Sequence, residues 1–125
     1  MLSDHTPTAV LAVQDLARAQ AFYEGVLGFA GEEQMEGISY RAGDASFFVY
    51  PSAFAGTNQA TAMTFELDGD AFDEEVVRLR DAGIDFDTFE GLGIEWADGV
   101  AVAEGMRAVW FRDPDGNILN LSTEV

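Results

Sequence analysis

Apolar and polar residues alternate along this chain in two successive, similar runs. Thr8-Ala9-Val10-Leu11-Ala12-Val13 is β-branched and apolar, which predicts a buried strand. Asp15 stands where a helix needs an N-cap. Leu16, Ala19, Phe22, Tyr23, Val26 and Leu27 then recur on one helical face, and Gly28 suits the helix end. Segments near 30–36, 38–42 and 46–50 read as short strands, with Gly43-Asp44 as a tight turn. The predicted order is βαβββ.

The second run repeats the first. Ala62–Leu67 alternates as a strand, and Asp68 or Asp70 can cap the helix that follows. Phe72, Val76, Leu79 and Ala82 form its apolar stripe, and Gly83 ends it. Ile84–Phe89 reads as a strand, and Arg107–Arg112 and Asn117–Thr123 flank Asp113-Pro114-Asp115-Gly116. Proline second and glycine fourth are what a type I turn prefers. Val13 corresponds to Leu67 and Gly28 to Gly83, but the offset widens before the final hairpin. That places an insertion within Gly91–Gly105, a stretch containing Gly91, Gly93, Gly99 and Gly105. A lid or binding loop and an added surface hairpin both fit such a stretch. Ser52–Gln59 reads as the connector between the runs.

The expected fold is therefore α+β. It is a single domain over residues 1–125, with module one at 8–51 and module two at 61–123, carrying the insertion around 91–105. Helices on one face of each sheet leave the other face open, and two such sheets can curl around a shared cleft. A cleft of that kind is a usual small-molecule site.

Composition narrows the chemistry. Twenty-three acidic residues face six basic ones, a net charge of −17. All six are arginine: Arg18, Arg41, Arg78, Arg80, Arg107 and Arg112. A field of that sign repels nucleic-acid phosphates and anionic lipid, attracts cations, and keeps a surface solvated. The absence of cysteine excludes disulfides, thiolate zinc sites and a cysteine nucleophile. His5 is the one histidine, too few for most transition-metal sites. The N-terminus lacks a basic n-region, and no run approaches the ~18 apolar residues of a membrane span. Cytoplasm is the expected location.

Val13-Gln14-Asp15-Leu16, Phe22-Tyr23, Leu27-Gly28-Phe29 and Phe111-Arg112-Asp113-Pro114-Asp115-Gly116-Asn117 together resemble the vicinal oxygen chelate superfamily. This is the group of glyoxalase I, bleomycin-resistance proteins and extradiol dioxygenases. The resemblance covers nearly the whole chain. It implies two βαβββ modules in a U-shaped open barrel around a ligand cleft, and a homodimer. It also implies that members' metal ligands fall here on Thr8, Phe48, Ala62 and Asn120, none of them a carboxylate or imidazole. No metal and no cofactor is therefore expected.

Period-two alternation assigns the cleft face to Thr8, Val10 and Ala12, to Ser46, Phe48 and Tyr50, to Ala62, Thr64 and Glu66, and to Ile118, Asn120 and Ser122. Hairpin pairing adds Tyr40 and Trp110, and the insertion contributes Trp96. The expected ligand-binding set is thus Thr8, Tyr40, Phe48, Tyr50, Trp96, Trp110 and Asn120. Glu66 is the weak catalytic candidate, a general base if buried and a rim residue if solvated. Three functions compete. The first is a binding module that sequesters an aromatic or cationic small molecule, as bleomycin-resistance proteins do. The second is a metal-dependent glyoxalase-like lyase or isomerase, or a dioxygenase, with displaced ligands. The third is metal-free acid–base catalysis by Glu66. The missing ligand set and the aromatic cleft favour the first.

Overall fold

The structure, a computed structural model, describes residues 1–91 and 93–124. Two mixed sheets with few helices make it an α+β protein, and neither sheet closes into a barrel. The chain divides into two compact units. One is Met1–Asn58 with Asp113–Asn117; the other is Gln59–Arg112 with Ile118–Val125.

In the first unit, β1 (Ala9–Val13) leads to α1 (Leu16–Gln20) and then to β2 (Gly31–Gln34), β3 (Gly37–Ala42) and β4 (Ala45–Pro51). The sheet order is β1-β4-β3-β2, with β1 parallel to β4 and the other pairs antiparallel. Asp15 caps α1 as expected, its side chain accepting from the Arg18 amide. Beyond Gln20 the helix widens into a π-helical stretch, Ala21–Val26, and Leu27 N–H bonds Phe22 C=O. The wider turn lets adjacent Phe22 and Tyr23 both face inward, edge to face at 5.2 Å. They pack with Leu11, Val13, Ile38, Tyr40, Phe47 and Val49 into one core. Gly31 admits this arrangement, because a Cβ there would sit 2.6 Å from both Ile38 Cγ2 and Tyr40 Cε1.

The turn 113–117 joins two strands of the second unit yet groups with the first. Its anchor is the buried Asp113 carboxylate. One oxygen accepts from the Asp115 and Asn117 amides, each at 2.9 Å; the other accepts from Tyr23 O–H and Asn117 Nδ2, each at 2.8 Å. Asn117 Nδ2 also donates to Ala12 C=O, and Asp115 Oδ1 accepts from Gln14 N–H and Arg18 Nη2.

In the second unit, β5 (Thr61–Glu66) precedes α2 (Gly69–Asp81), which Asp68 caps. β6 (Glu95–Ala97), β7 (Val100–Ala103), β8 (Met106–Arg112) and β9 (Ile118–Glu124) complete a sheet of order β5-β9-β8-β7-β6. Phe72, Val76 and Leu79 of α2 are buried, as are Val109, Phe111, Leu119 and Leu121. The sequence expectation fails at one strand. Residues 84–89 form a single bridge, Asp87 to Trp110, while β7 takes the place beside the start of β8. The cause is local. Asp98-Gly99 (φ 52° and 79°) and Glu104-Gly105 (φ 47° and 79°) each make a two-residue turn with both φ positive. Such turns close hairpins over few residues, at less loop entropy than pairing 84–89 along β8 would cost. Residues 95–103 therefore form a hairpin, β6–β7.

Asp113→Ala leaves four donors unsatisfied and is expected to lower stability by about 3 kcal/mol in urea unfolding. A wild-type midpoint would contradict the anchoring role. Burial, and then the charge of Asp113, push the Tyr23 hydroxyl well above its ordinary value of 10. A raised folded-state value contributes stability that is whole below about pH 10 and lost as pH rises beyond it. Urea midpoints should therefore fall above about pH 10 in the wild type, and fall less steeply in Tyr23→Phe.

Candidate functional site

Pairing registers decide which side chains share a face. In the first unit Tyr40 lies opposite Phe47, and Phe48 opposite Ser39. Tyr40 thus joins the core, 0% exposed, with its ring 5.7 Å from Tyr23 and 5.3 Å from Phe47. This corrects its expected place on the cleft face. Its hydroxyl donates to Glu24, and burial followed by that bond raises its pKa. Phe48 and Tyr50 do share the other face, stacked at 6.2 Å and 11°. Val10, paired with Phe48, is exposed beside them. Thr8 is exposed and precedes β1.

In the second unit the face away from α2 carries two rows. Glu66, Ser122, Ala108, Ala101 and Trp96 follow one another across β5, β9, β8, β7 and β6. Thr64, Asn120 and Trp110 form the next row. Glu66 is exposed. Asn120 is buried and spends its amide nitrogen on Val109 C=O at 3.1 Å.

Ala62 is displaced from its expected place. The pairing runs Thr61 to Ile118 and then Met63 to Leu119, so Ala62 is the extra residue of a bulge. The side chain that instead joins this face at the start of β5 is Thr61, whose Oγ1 accepts from Trp110 Nε1 at 3.3 Å. No sequence signal marks this bulge.

Around Trp110 the structure assembles a site the sequence reading only half saw. Phe89 packs edge to face on Trp110 at 5.0 Å and on Trp96 at 5.2 Å. Trp96 lies 6.1 Å from Trp110, and its Nε1 donates to Phe89 C=O at 3.0 Å. The bridge at Asp87 holds this segment, through Asp87 N–H to Trp110 C=O at 2.8 Å. The Asp87 side chain accepts from Arg112 Nε at 2.6 Å. Beside these rings opens a pocket of about 580 Å³ lined by Thr61, Asp87, Thr88, Phe89, Trp110 and Arg112, with Gln59, Ala60 and Ile118. Its size falls in the range of small-molecule sites. Of this lining only Trp110 and Ile118 were expected on the cleft face; the missed side chains that shape the pocket include Thr61, Asp87, Thr88, Phe89 and Arg112. For two of them a signal existed, since period two places Asp87 and Phe89 on one side of their segment.

Thr8, Phe48, Ala62 and Asn120 offer a hydroxyl, a phenyl, a methyl and an amide, and Thr61, which takes the place of Ala62 on the face, offers another hydroxyl. Among the described residues no three of histidine, cysteine, aspartate and glutamate converge on a common point. These residues do not fit a divalent ion of the kind held by carboxylate and imidazole. No helix among the described residues is long and apolar enough to cross a membrane.

Residues 4–121 match the model of the Glyoxalase/Bleomycin resistance protein/Dioxygenase superfamily. No curated protein matches the chain. Among solved structures, fosfomycin resistance protein FosX from Mesorhizobium loti aligns with TM-score 0.69 at 18% identity, over 98% of this chain and 93% of that one. The glyoxalase family protein from Enterococcus faecalis gives 0.72 at 17%, over 98% and 99%. Lactoylglutathione lyase from Agrobacterium tumefaciens gives 0.67 at 19%, over 95% and 92%. At these identities the likeness is one of fold.

Thr61→Val removes the acceptor of the Trp110 indole N–H and should cost about 1 kcal/mol. The Trp110 indole resonance should shift while that of Trp96 stays; an unmoved Trp110 resonance would contradict the bond.

Proposed function

The chain belongs to the Glyoxalase/Bleomycin resistance protein/Dioxygenase superfamily, and from that premise we propose that it is a small-molecule-binding module rather than an enzyme built on a metal. The observation that carries this reading is the pocket beside Trp110, with aromatic walls, a polar rim and an ion pair. Aromatic faces supply binding area at little entropic cost, and a few polar groups fix orientation. The chemistry of the four inherited positions supports the same reading. A glyoxalase-type reaction needs anionic or imidazole donors to hold its Lewis acid, and Thr8, Phe48, Ala62 and Asn120 supply none.

Trp110, Trp96 and Asn120 are the binding residues proposed on the second unit. On the first unit the stacked pair of half-buried Phe48 and exposed Tyr50 is proposed as a further aromatic surface for a flat ligand, with Thr8 at the start of the same alternation. Tyr40 is not proposed again, because it is spent in the core. Glu66 is proposed as a rim acid only. A homodimer is the proposed assembly, and sedimentation equilibrium at micromolar concentration reads it directly.

Flat aromatic compounds should quench the tryptophan fluorescence saturably, and Trp110→Ala should weaken that binding at least ~fivefold, the equivalent of ~1 kcal/mol. Protein purified without chelator should carry well under one divalent ion per subunit by mass spectrometry. One ion per subunit retained through dialysis would end this reading.

A further inference from the structure

We propose that the Trp110 pocket selects a planar aromatic carboxylate, even though the protein as a whole is strongly acidic; this rests on the pocket being the binding site. The inference starts from which hydrogen-bonding groups remain unused at the rim. Asp87 engages Arg112 through Nε alone, so the guanidinium is oriented while Nη1 and Nη2 keep their donors. That fork matches the two oxygens of a carboxylate. Thr61 Oγ1 already accepts from Trp110 Nε1, so its own O–H is left to donate. Thr88 adds a hydroxyl and Gln59 an amide at the same pocket. Against these donors stand one uncommitted Asp87 oxygen, the Gln59 carbonyl and the Thr88 hydroxyl oxygen; Asp87 and Arg112 offset one another's charge, so it is the number and fork geometry of the donors that favours a carboxylate. The pocket is richer in donors than in acceptors. Ile118, Phe89 and the Trp110 ring supply the apolar wall for a flat body.

The net charge of −17 argues the other way only at long range. Exposed charges farther than ~8 Å are largely screened at physiological ionic strength, whereas a contact pair is screened much less. The global field therefore weakens an anion's binding at low salt by long-range repulsion, without changing which groups the pocket offers at contact. This gives a signature in salt. An anion bound at Arg112 should bind more tightly as salt rises, because salt removes the repulsion first. A cation drawn by the surface should bind less tightly.

The test compares three probes of one shape: 1-naphthoate, 1-naphthalenemethanol and 1-naphthylmethylamine. Each is titrated by calorimetry, and by the Trp110 indole N–H resonance, from about 0.05 M to about 0.5 M sodium chloride. Naphthoate should bind at least ~tenfold more tightly than the amine at the higher salt, and should tighten as salt is added. Arg112→Gln should cost naphthoate about tenfold while leaving the alcohol within about twofold, and Arg112→Lys should recover only part of the loss. The wild-type salt series needs no variant, so a folding defect in either variant does not blunt the test. The inference is overturned if the amine outbinds the acid, or if naphthoate is insensitive to Arg112→Gln; alcohol or amine binding would then leave the binding-module reading standing. If no probe moves the Trp110 resonance, both fail.

Discussion

The first unit depends on one buried carboxylate. Asp113 accepts four hydrogen bonds, from two backbone amides, a tyrosine hydroxyl and an asparagine amide. An ionised carboxylate removed from water is costly unless its oxygens are filled, and these are filled. The consequences run outward. Tyr23 must present its hydroxyl at the right depth, which the π-helical widening after Gln20 allows. Asn117 must turn inward, which ties the turn to Ala12 and hence to β1. Asp115 then meets Gln14 and Arg18 at the start of α1. Removing one donor leaves the carboxylate short of a partner, and removing the carboxylate strands all four donors, so the set behaves as a unit.

The second unit is organised by a different constraint, the geometry of two short turns. Asp98-Gly99 and Glu104-Gly105 place β6 and β7 beside β8, so residues 84–89 meet β8 only at Trp110. That displacement brings Phe89 against Trp110 and Trp96, and sets Asp87 beside Arg112. The pocket follows from the loss of a regular strand. Loops positioned by a rigid sheet are where binding residues commonly gather, and this site has that form.

Much of the fold was legible in the chain, for physical reasons that differ by element. α2 was readable because its apolar stripe and Asp68 cap are local signals. β1, β4 and β8 were readable because their alternation is tied to one buried face, whereas β9, buried on both faces over 118–123, was readable from the turn that precedes it. The closing turn was readable because proline and glycine restrict backbone angles on their own. Tyr40 was misplaced because a hairpin's parity depends on its register, and one residue of slip moves a side chain to the other face. Ala62 was misplaced for a related reason, since a bulge resets parity with no change in composition. The Asp-Gly pair at 98–99 is a recognised hairpin signal, and taken with Glu104-Gly105 it outweighs the apolar pattern of 84–89.

Residue type alone settled two exclusions, no thiolate chemistry and no more than one imidazole, because absent atoms need no fold to be absent. Local propensity settled the helices and most strands, because caps, turns and periodicity act over a few residues. Only the tertiary structure could gather Thr61, Asp87, Phe89, Trp110 and Arg112 around one pocket. Those five come from three stretches distant in sequence and meet through a bulge, a bridge and an ion pair. Each is a pairing between segments, and the energy of such a pairing is defined only once both segments are in place.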